Sequence, residues 1–196
     1  MGNYRVIADV GQAMVRLLRK FMVPEVVRKE GQIGLCHPKE HGEYSVAIYL
    51  YDVRESETMR NTPKRRIGEE QRKFPSVYLE LYYMLVPYSR GDSKYRQEEE
   101  HKILGKMMQV LHDYPNLDCG ASETGWGTGN SADTVHVELS DLSYEDKIQV
   151  WKSLDEANHT ALYCKVNPVE LESERSEDIR RVREVQMQLE ERGVSP

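Results

Sequence analysis

The stretch VYLELYYMLVP (77–87), with the run EEEHKILGKMMQVLHDYP (98–115) that follows a short turn, decides the fold of this chain. In the first part a mainly aliphatic set of residues alternates with a tyrosine-rich set, which is the two-residue period of a β-strand. In the second part apolar residues recur every three or four positions until Tyr114-Pro115 ends the run. A long strand joined to an amphipathic helix predicts a two-layer α/β fold.

The other periodic segments extend this unit in both directions. Apolar residues at helical spacing predict a helix over 4–22, and Ser143 with Asp146 signals the start of a shorter helix. Alternating or short apolar segments predict strands at 33–35, 46–53, 134–139 and 162–166. We therefore expect an α/β (α+β) domain with a mixed or antiparallel sheet of about four strands and flanking helices.

Three stretches lack a clear apolar pattern or have only a narrow one. Residues 54–73 are highly charged, which predicts a mobile, solvated loop, and residues 119–133 are rich in glycine, which predicts a flexible connection. From about Asp178 to Arg192 a charged helix is expected whose apolar stripe is one residue wide. The predicted organisation is one α/β domain over 1–175 and a C-terminal helical arm over 176–196.

Composition excludes several classes of function. The chain has 196 residues, a formal net charge of −6 and a pI of about 5.6, so it lacks a basic field for nucleic acid. No apolar run approaches the ~20 residues that span a membrane. The three cysteines form no CxxC pair, which favours free thiols in a reducing compartment. We expect the chain to be made in the cytoplasm.

The aromatic residues indicate a surface for association. There are 12 tyrosines but only 2 phenylalanines, so most aromatic rings carry a polar tip. Tyr49, Tyr51, Tyr78 and Tyr82 are expected on strand faces opposite the aliphatic residues. Tyrosine suits subunit interfaces because one end of the ring can be dry and the other wet. The same rings could also simply cover packing between a helix and the sheet.

Two histidine patterns raise the alternative of a metal-dependent hydrolase that uses His37, His41 and His101. His37, Glu40 and His41 match the HxxEH spacing of inverted zinc peptidases, but Pro38 and Gly42 favour a turn at the place where that site needs a helix. Glu98-x-x-His101 occurs once, whereas di-iron bundles need two copies. With neither a nucleophile elbow nor a phosphate-binding glycine motif, we expect no enzymatic activity, cofactor or metal site.

Six segments, in order along nearly the whole chain, are similar to a known family. They are YRVIADVG (4–11), IGLCHPKE (33–40), YSVAIYLYDVRES (44–56), VYLELYYMLVPYS (77–89), EEEHKILGKMMQVLHDYP (98–115) and ALYCKVNPV (161–169). The family they resemble is the N-terminal domain of the cap, or tail-terminator, proteins of phage-tail-like extracellular contractile injection systems. Larger members carry a second C-terminal domain, and the glycine-rich stretch 119–133 departs from the family pattern.

The resemblance implies a structural protein with a tail-terminator-like fold. It would form a homohexameric ring on the distal end of the inner tube, stop tube growth and anchor the sheath. Its partners would be further copies of the chain, the tube protein and the sheath protein, and it would be assembled in the cytoplasm into a particle later released. A head–tail connector or adaptor protein is the other structural alternative. Ring contacts are expected from the four tyrosines and from the arm residues Ile179, Arg180, Val182, Arg183 and Leu189.

Overall fold

The computed structural model describes residues 4–57, 59, 65–67, 71–119 and 134–178. The helices are α1 (Val6–Met22), α2 (Arg96–Asp113) and α3 (Tyr144–Ser153), with short 3-10 turns at Glu30–Gln32 and Pro38–Glu40. The strands are β1 (Ile33–Leu35), β2 (Val46–Glu55), β3 (Arg65–Ile67), β4 (Gln71–Lys73), β5 (Val77–Pro87), β6 (Asn116–Asp118), β7 (Thr134–Leu139), β8 (Leu162–Leu171) and β9 (Ser176–Asp178). The described helices include none long and apolar enough to cross a membrane.

Six strands form the main sheet in the order β1-β2-β5-β8-β7-β6, with β5 near its centre. The pair β1–β2 is parallel and the other pairs are antiparallel, so the predicted mixed sheet with flanking helices is confirmed. The sheet has six strands where about four were expected; β1 lies at the predicted positions 33–35, whereas the three-residue edge strand β6 was not predicted. Strand β5 is the longest element of the sheet, with 11 residues, and lies between β2 and β8.

One face of the main sheet, here called the inner face, packs against α1 and α2. The apolar stripe of α1 is buried along its length, and Met14, Leu18 and Met22 have no exposed surface. From α2, Ile103, Met107 and Val110 enter the same core. The aliphatic residues of β2, β5 and β8 face these helices, as their two-residue period predicts. This burial supplies most of the driving force for folding.

Helix α1 also reaches both edges of the main sheet. The guanidinium of Arg19 donates two hydrogen bonds, of 3.1 and 2.7 Å, to the carbonyl oxygen of Ile33 in β1. One turn earlier, Arg16 donates to the carbonyl oxygen of Asp118 in β6 at 3.3 Å. The first and the last strand of the sheet therefore contact the same helix, which requires a strongly curled sheet.

A second, three-stranded sheet in the order β3-β4-β9 corrects two expectations. The prediction of a loop over 54–73 is wrong for Arg65–Ile67 and Gln71–Lys73, which are strands, and β2 continues to Glu55. Ser176–Asp178, at the start of the predicted arm, is a strand that pairs with β4. Ion pairing between Lys73 and Glu172 ties this small sheet to the end of β8. The rest of the predicted arm and the glycine-rich residues 120–133 lie outside the described residues.

The position of β5 predicts how its substitutions affect stability. Leu81 is completely buried in the core, whereas Val77, in the same strand, is 40% exposed. We expect Leu81→Ala to lower the free energy of unfolding by about 3 kcal/mol because it opens a cavity. Val77→Ala should cost about 1 kcal/mol or less. Urea unfolding followed by circular dichroism measures both, and equal losses would contradict the burial of Leu81.

Candidate assembly surface

The opposite face of the main sheet, here called the outer face, is only partly covered. At one end α3 places Trp151, which is 1% exposed, over Ala47, Met84 and Val86. Ser143 begins this helix by accepting a hydrogen bond from the backbone N–H of Asp146 at 3.1 Å, as the capping signal predicts. Beyond α3, the outer face carries side chains that remain half-buried or exposed.

Three tyrosine rings from neighbouring strands meet on the outer face. The ring of Tyr51 in β2 lies 6.2 Å, between centroids, from that of Tyr82 in β5 and 6.0 Å from that of Tyr163 in β8. Tyr51 occupies a register shift, since Leu50 pairs with Tyr83 and Asp52 pairs with Tyr82. This irregularity adds one residue to β2, and such bulges redirect a side chain at the point where they occur.

Charged groups surround these rings. The hydroxyl of Tyr82 donates a hydrogen bond to Glu80 Oε2 at 2.9 Å, and the guanidinium of Arg54 lies 5.0 Å from the centroid of the Tyr82 ring. Arg54 Nε in turn donates to Asp52 Oδ2 at 2.7 Å. Further across the sheet, Lys165 Nζ and Glu138 Oε2 are 3.6 Å apart. The outer face thus combines aromatic rings with paired charges of both signs, a combination enriched in protein interfaces.

Burial controls the ionisation of these tyrosines. It raises the pKa of Tyr51 to about 12, with smaller contributions from Cys164, Tyr163 and Asp52. Burial also raises the pKa of Tyr82, helped by the hydrogen bond to Glu80, and the pKa of Tyr163. The hydroxyl of Tyr51 is inaccessible to solvent and has no hydrogen-bond partner among the described residues.

A groove of about 870 Å³ forms a second surface, between the segment after α1 and residues 99–109 of α2. Its base contains Val27 and Ile103, which are 2% and 5% exposed. An ion pair of 2.7 Å between Lys106 Nζ in α2 and Glu25 Oε2 joins its two sides. The charged residues that line it are Glu25, Arg28, Lys29, Glu43, Arg90, Glu99, Lys102 and Lys106. This surface has no simple sequence signal because its residues come from four separated segments.

Two of the three histidines of the hydrolase alternative have structural roles. His37 Nδ1 accepts a hydrogen bond from the backbone N–H of Lys39 at 3.2 Å, within the turn that Pro38 begins. The imidazole of His41 stacks on the ring of Tyr88, with centroids 3.8 Å apart and planes 9° from parallel. His101 is exposed on α2, where Glu98 pairs with Lys102 at 2.7 Å. In the part of the chain that the structure describes, no cluster of three or more His, Cys, Asp or Glu could hold a metal ion.

The structure describes some of the predicted interface residues but not others. Tyr49, Tyr51, Tyr78 and Tyr82 are all half-buried on β2 and β5, where their alternation predicts them. The arm residues Ile179, Arg180, Val182, Arg183 and Leu189 lie outside the described residues, so their role stays a prediction. Sequence reasoning missed Arg54 and Tyr163 as members of the outer face. The alternation of β8 carries the signal for Tyr163, but nothing local places Arg54 over Tyr82.

Comparisons with known proteins give a consistent result. Residues 9–184 match the family model of the Pvc16 N-terminal domain. The fold is similar to the sheath/tube terminator of PVC, an extracellular contractile injection system in the extended state, with 15% identity and a TM-score of 0.62 over 94% of this chain. It is also similar to the tube-terminating cap of the anti-feeding prophage, with 18% identity and a TM-score of 0.62 over 93% of this chain. The matches cover 63% and 61% of those two chains. No curated protein matches the sequence.

The raised pKa of Tyr51 predicts a loss of stability at alkaline pH. The pKa in the folded state, about 12, exceeds the ordinary value of 10, so this tyrosine favours folding fully below pH 10. That contribution should disappear as the pH rises through 12. We expect the free energy of unfolding to fall less between pH 9 and pH 11.5 in Tyr51→Phe than in the unmodified chain. Equal losses in the two proteins, measured by urea unfolding at both pH values, would contradict the assignment.

The stacking of His41 predicts opposite results for two substitutions. His41 Nδ1 is buried and has no partner within the described residues, so a phenyl ring can replace the imidazole without losing a hydrogen bond there. We expect His41→Phe to melt at or above the temperature of the unmodified chain. His41→Ala should lose the stacking on Tyr88, worth about 1 kcal/mol. Elemental analysis should find the same metal content in all three proteins. Stoichiometric zinc that both variants lose would instead support the hydrolase alternative.

Proposed function

Since the chain belongs to the Pvc16 N-terminal domain family, we propose that it is a structural cap of a contractile injection system. The match to the family confirms the resemblance to cap proteins that the sequence segments indicate. In this role the chain forms a ring that ends growth of the inner tube and anchors the distal end of the sheath. The observation that carries the proposal is the extent of the family match, which runs over residues 9–184 and so includes nearly all of the described residues.

The two similar structures support this role through their fold. Their names describe a sheath/tube terminator and a tube-terminating cap. At 15% and 18% identity, the similarity shows a common fold. It does not by itself show which partners this chain binds. This chain spans less than two thirds of either protein.

A closed ring needs two different surfaces that fit each other after rotation. The outer face and the groove are two different surfaces, and they belong to different parts of the domain. On the outer face, Tyr51 and Tyr82 present rigid rings, and Arg54 adds a planar cation. Tyrosine and arginine are the residue types that most often dominate binding energy at interfaces. We assign the contact between subunits to this aromatic face, with six copies in the ring.

The remaining features of the proposal concern chemistry and location. The cap role requires no catalysis, and His37 and His41 are engaged in a turn and in stacking. The cap would therefore act without a cofactor, assemble with tube and sheath proteins inside the producing cell, and remain on the released particle. Residues from 179 onward would form the helical arm that contacts a neighbouring subunit or the sheath.

Oligomerisation and tube length test the proposal together. Light scattering on the purified chain, alone or with tube protein, should give a mass close to six times 22.8 kDa. Tubes assembled with the chain should have a uniform length. Tyr51→Ala combined with Tyr82→Ala should abolish the ring and broaden the tube-length distribution while the monomer stays folded. Tyr4→Ala is the matched control, because Tyr4 is 73% exposed but precedes α1.

Two results would contradict this assignment. A stable monomer at all concentrations, with no ring on assembled tubes, would exclude the cap role. A normal ring and normal tube length in the double tyrosine variant would show that the outer face is not the contact between subunits. A chain that binds particles at the head–tail junction, without affecting tube length, would support the adaptor alternative.

A further inference from the structure

We propose that α3 is a removable cover of the outer face. In the free subunit it closes one end of that face, and it moves away when the neighbouring subunit of the ring binds there. The inference rests on the proposed ring and adds a step to its assembly. Its support comes from the buried polar atoms around α3, from the way α3 is anchored, and from the chain on either side of it.

Buried polar atoms without a partner are concentrated around α3. In the described part of the chain four such side-chain atoms lack a hydrogen-bond partner, namely Trp151 Nε1, Tyr51 OH, Tyr163 OH and His41 Nδ1. Trp151 and Tyr163 belong to the outer-face cluster, Tyr51 packs against it, and His41 stacks on Tyr88 of the same cluster. The larger core on the inner face contains none of the four. Buried polar groups in folded proteins are nearly always paired, so exceptions grouped in one cluster indicate that close packing is not its only requirement.

These groups would gain hydrogen bonds if α3 moved away. Both tyrosines keep their protons near neutral pH, because burial raises the pKa of Tyr51 to about 12 and also raises the pKa of Tyr163. The indole N–H of Trp151 opposes the rise at Tyr163, but it does not complete a hydrogen bond of ordinary geometry with that hydroxyl. Water could pair with all three groups in an open form. Their desolvation therefore favours opening.

A single tryptophan anchors α3 to the sheet. Within this helix of 10 residues Trp151 is buried, whereas the other residues are exposed or half-buried. A helix this short is not stable in water without packing, so its position depends on that anchor. An ion pair of 3.2 Å between Lys39 Nζ and Asp155 Oδ2 holds the segment after α3, but these side chains are 51% and 94% exposed. Ion pairs so exposed to solvent contribute little.

The chain on both sides of α3 is suited to a hinge. Residues 140–143 before the helix and 154–161 after it have no regular helix or strand structure. Asp155 has a φ of 53°, in the left-handed region that is unfavourable for residues other than glycine. From 155 to 160 every residue but Glu156 is exposed. Backbone angles in such a segment can change without disturbing the core.

Opening of α3 would enlarge the surface assigned to the contact between subunits. Beneath Trp151, the side chains of Ala47, Met84 and Val86 are completely buried. Met84 follows Tyr82 two positions along β5, so the two side chains share the outer face. The uncovered residues therefore extend the aromatic face without a break. Exposed apolar patches need a partner, and the neighbouring subunit, which contacts this face in the proposed ring, supplies it.

Hydrogen exchange in the full chain tests whether α3 opens independently of the domain. Under native conditions the amides of α3 should exchange about a hundredfold or more faster than those of α1, because a local opening needs less free energy than global unfolding. Low concentrations of urea should leave the rate in α3 unchanged, since a local opening exposes little surface. If the amides of α3 exchange as slowly as those of α1, with the same dependence on urea, α3 opens only with the whole domain and the inference is wrong.

A conservative substitution separates a removable cover from an ordinary surface helix. Tyr51→Phe removes a buried hydroxyl without a partner and keeps the ring, so it should slow exchange in α3 about tenfold. Tyr49→Phe is the matched control, because Tyr49 lies in the same strand and packs against the same cluster, but its hydroxyl is not among the buried unpartnered atoms. It should leave exchange in α3 unchanged. Equal rates in the two variants would contradict the role assigned to the unpartnered groups.

A covalent bridge from position 39 to position 155 tests whether the ring requires opening. The two side chains already meet, so a short bis-maleimide can join Lys39→Cys to Asp155→Cys and hold both ends of α3 in place. The bridged chain should stay folded and form rings on tubes about tenfold less or worse, because its binding-competent form is no longer populated. Asp155→Cys alone, treated with the same reagent, is the matched control and should form rings normally. Both chains also carry Cys36→Ala, which removes the thiol close to Lys39 in the sequence.

The outcomes separate this inference from the proposed cap role. Rings formed by the bridged chain as readily as by its control would show that α3 stays closed in the ring, and would overturn the inference. Loss of rings in both treated chains and in the unmodified chain would count against the cap role instead. Hydrogen exchange still decides whether α3 opens in that case, or if the bridged chain fails to fold.

Discussion

Contact of α1 with both edges of the main sheet is the constraint on which the rest of the structure depends. An open sheet presents unpaired backbone carbonyls at its edges, and these must find donors or remain in water. Arg19 supplies donors to Ile33 in β1, and Arg16 supplies one to Asp118 in β6. The opposite side of the same helix buries Met14 and Leu18 in the core. One helix thus joins the two edges of the sheet, and it covers the inner face between them.

Closing the inner face leaves the outer face available for other contacts. The stability of the domain comes mainly from the core between the sheet and α1 and α2. The smaller cluster under Trp151 covers only one end of the outer face. Exposed side chains beyond this cluster, such as Arg54, therefore add little to the burial that holds the domain together. Substitutions among them can change association while the fold persists, which is what an assembly surface requires.

Sequence patterns predict the parts of this architecture that have long, regular periods. The strand at 77–87 and the helix that ends before Tyr114 have enough residues to show their periods, and they occur where expected. Strands β3, β4 and β9 have three residues each, too few for a two-residue period to stand out from chance. The pairing of β4 with β9 joins residues about a hundred positions apart, and no local signal specifies such a pairing. The charged composition of residues 54–73 therefore gives no sign of β3 and β4.

The candidate surfaces, like the strands, can be predicted only in part from sequence patterns. Alternation along β2 and β5 predicts which tyrosines share the outer face, because side-chain direction in a strand follows from sequence position alone. The bulge that brings Tyr51 against Tyr163 depends on the register between strands, and the groove depends on how the segment after α1 meets α2. Neither can be derived from any one segment.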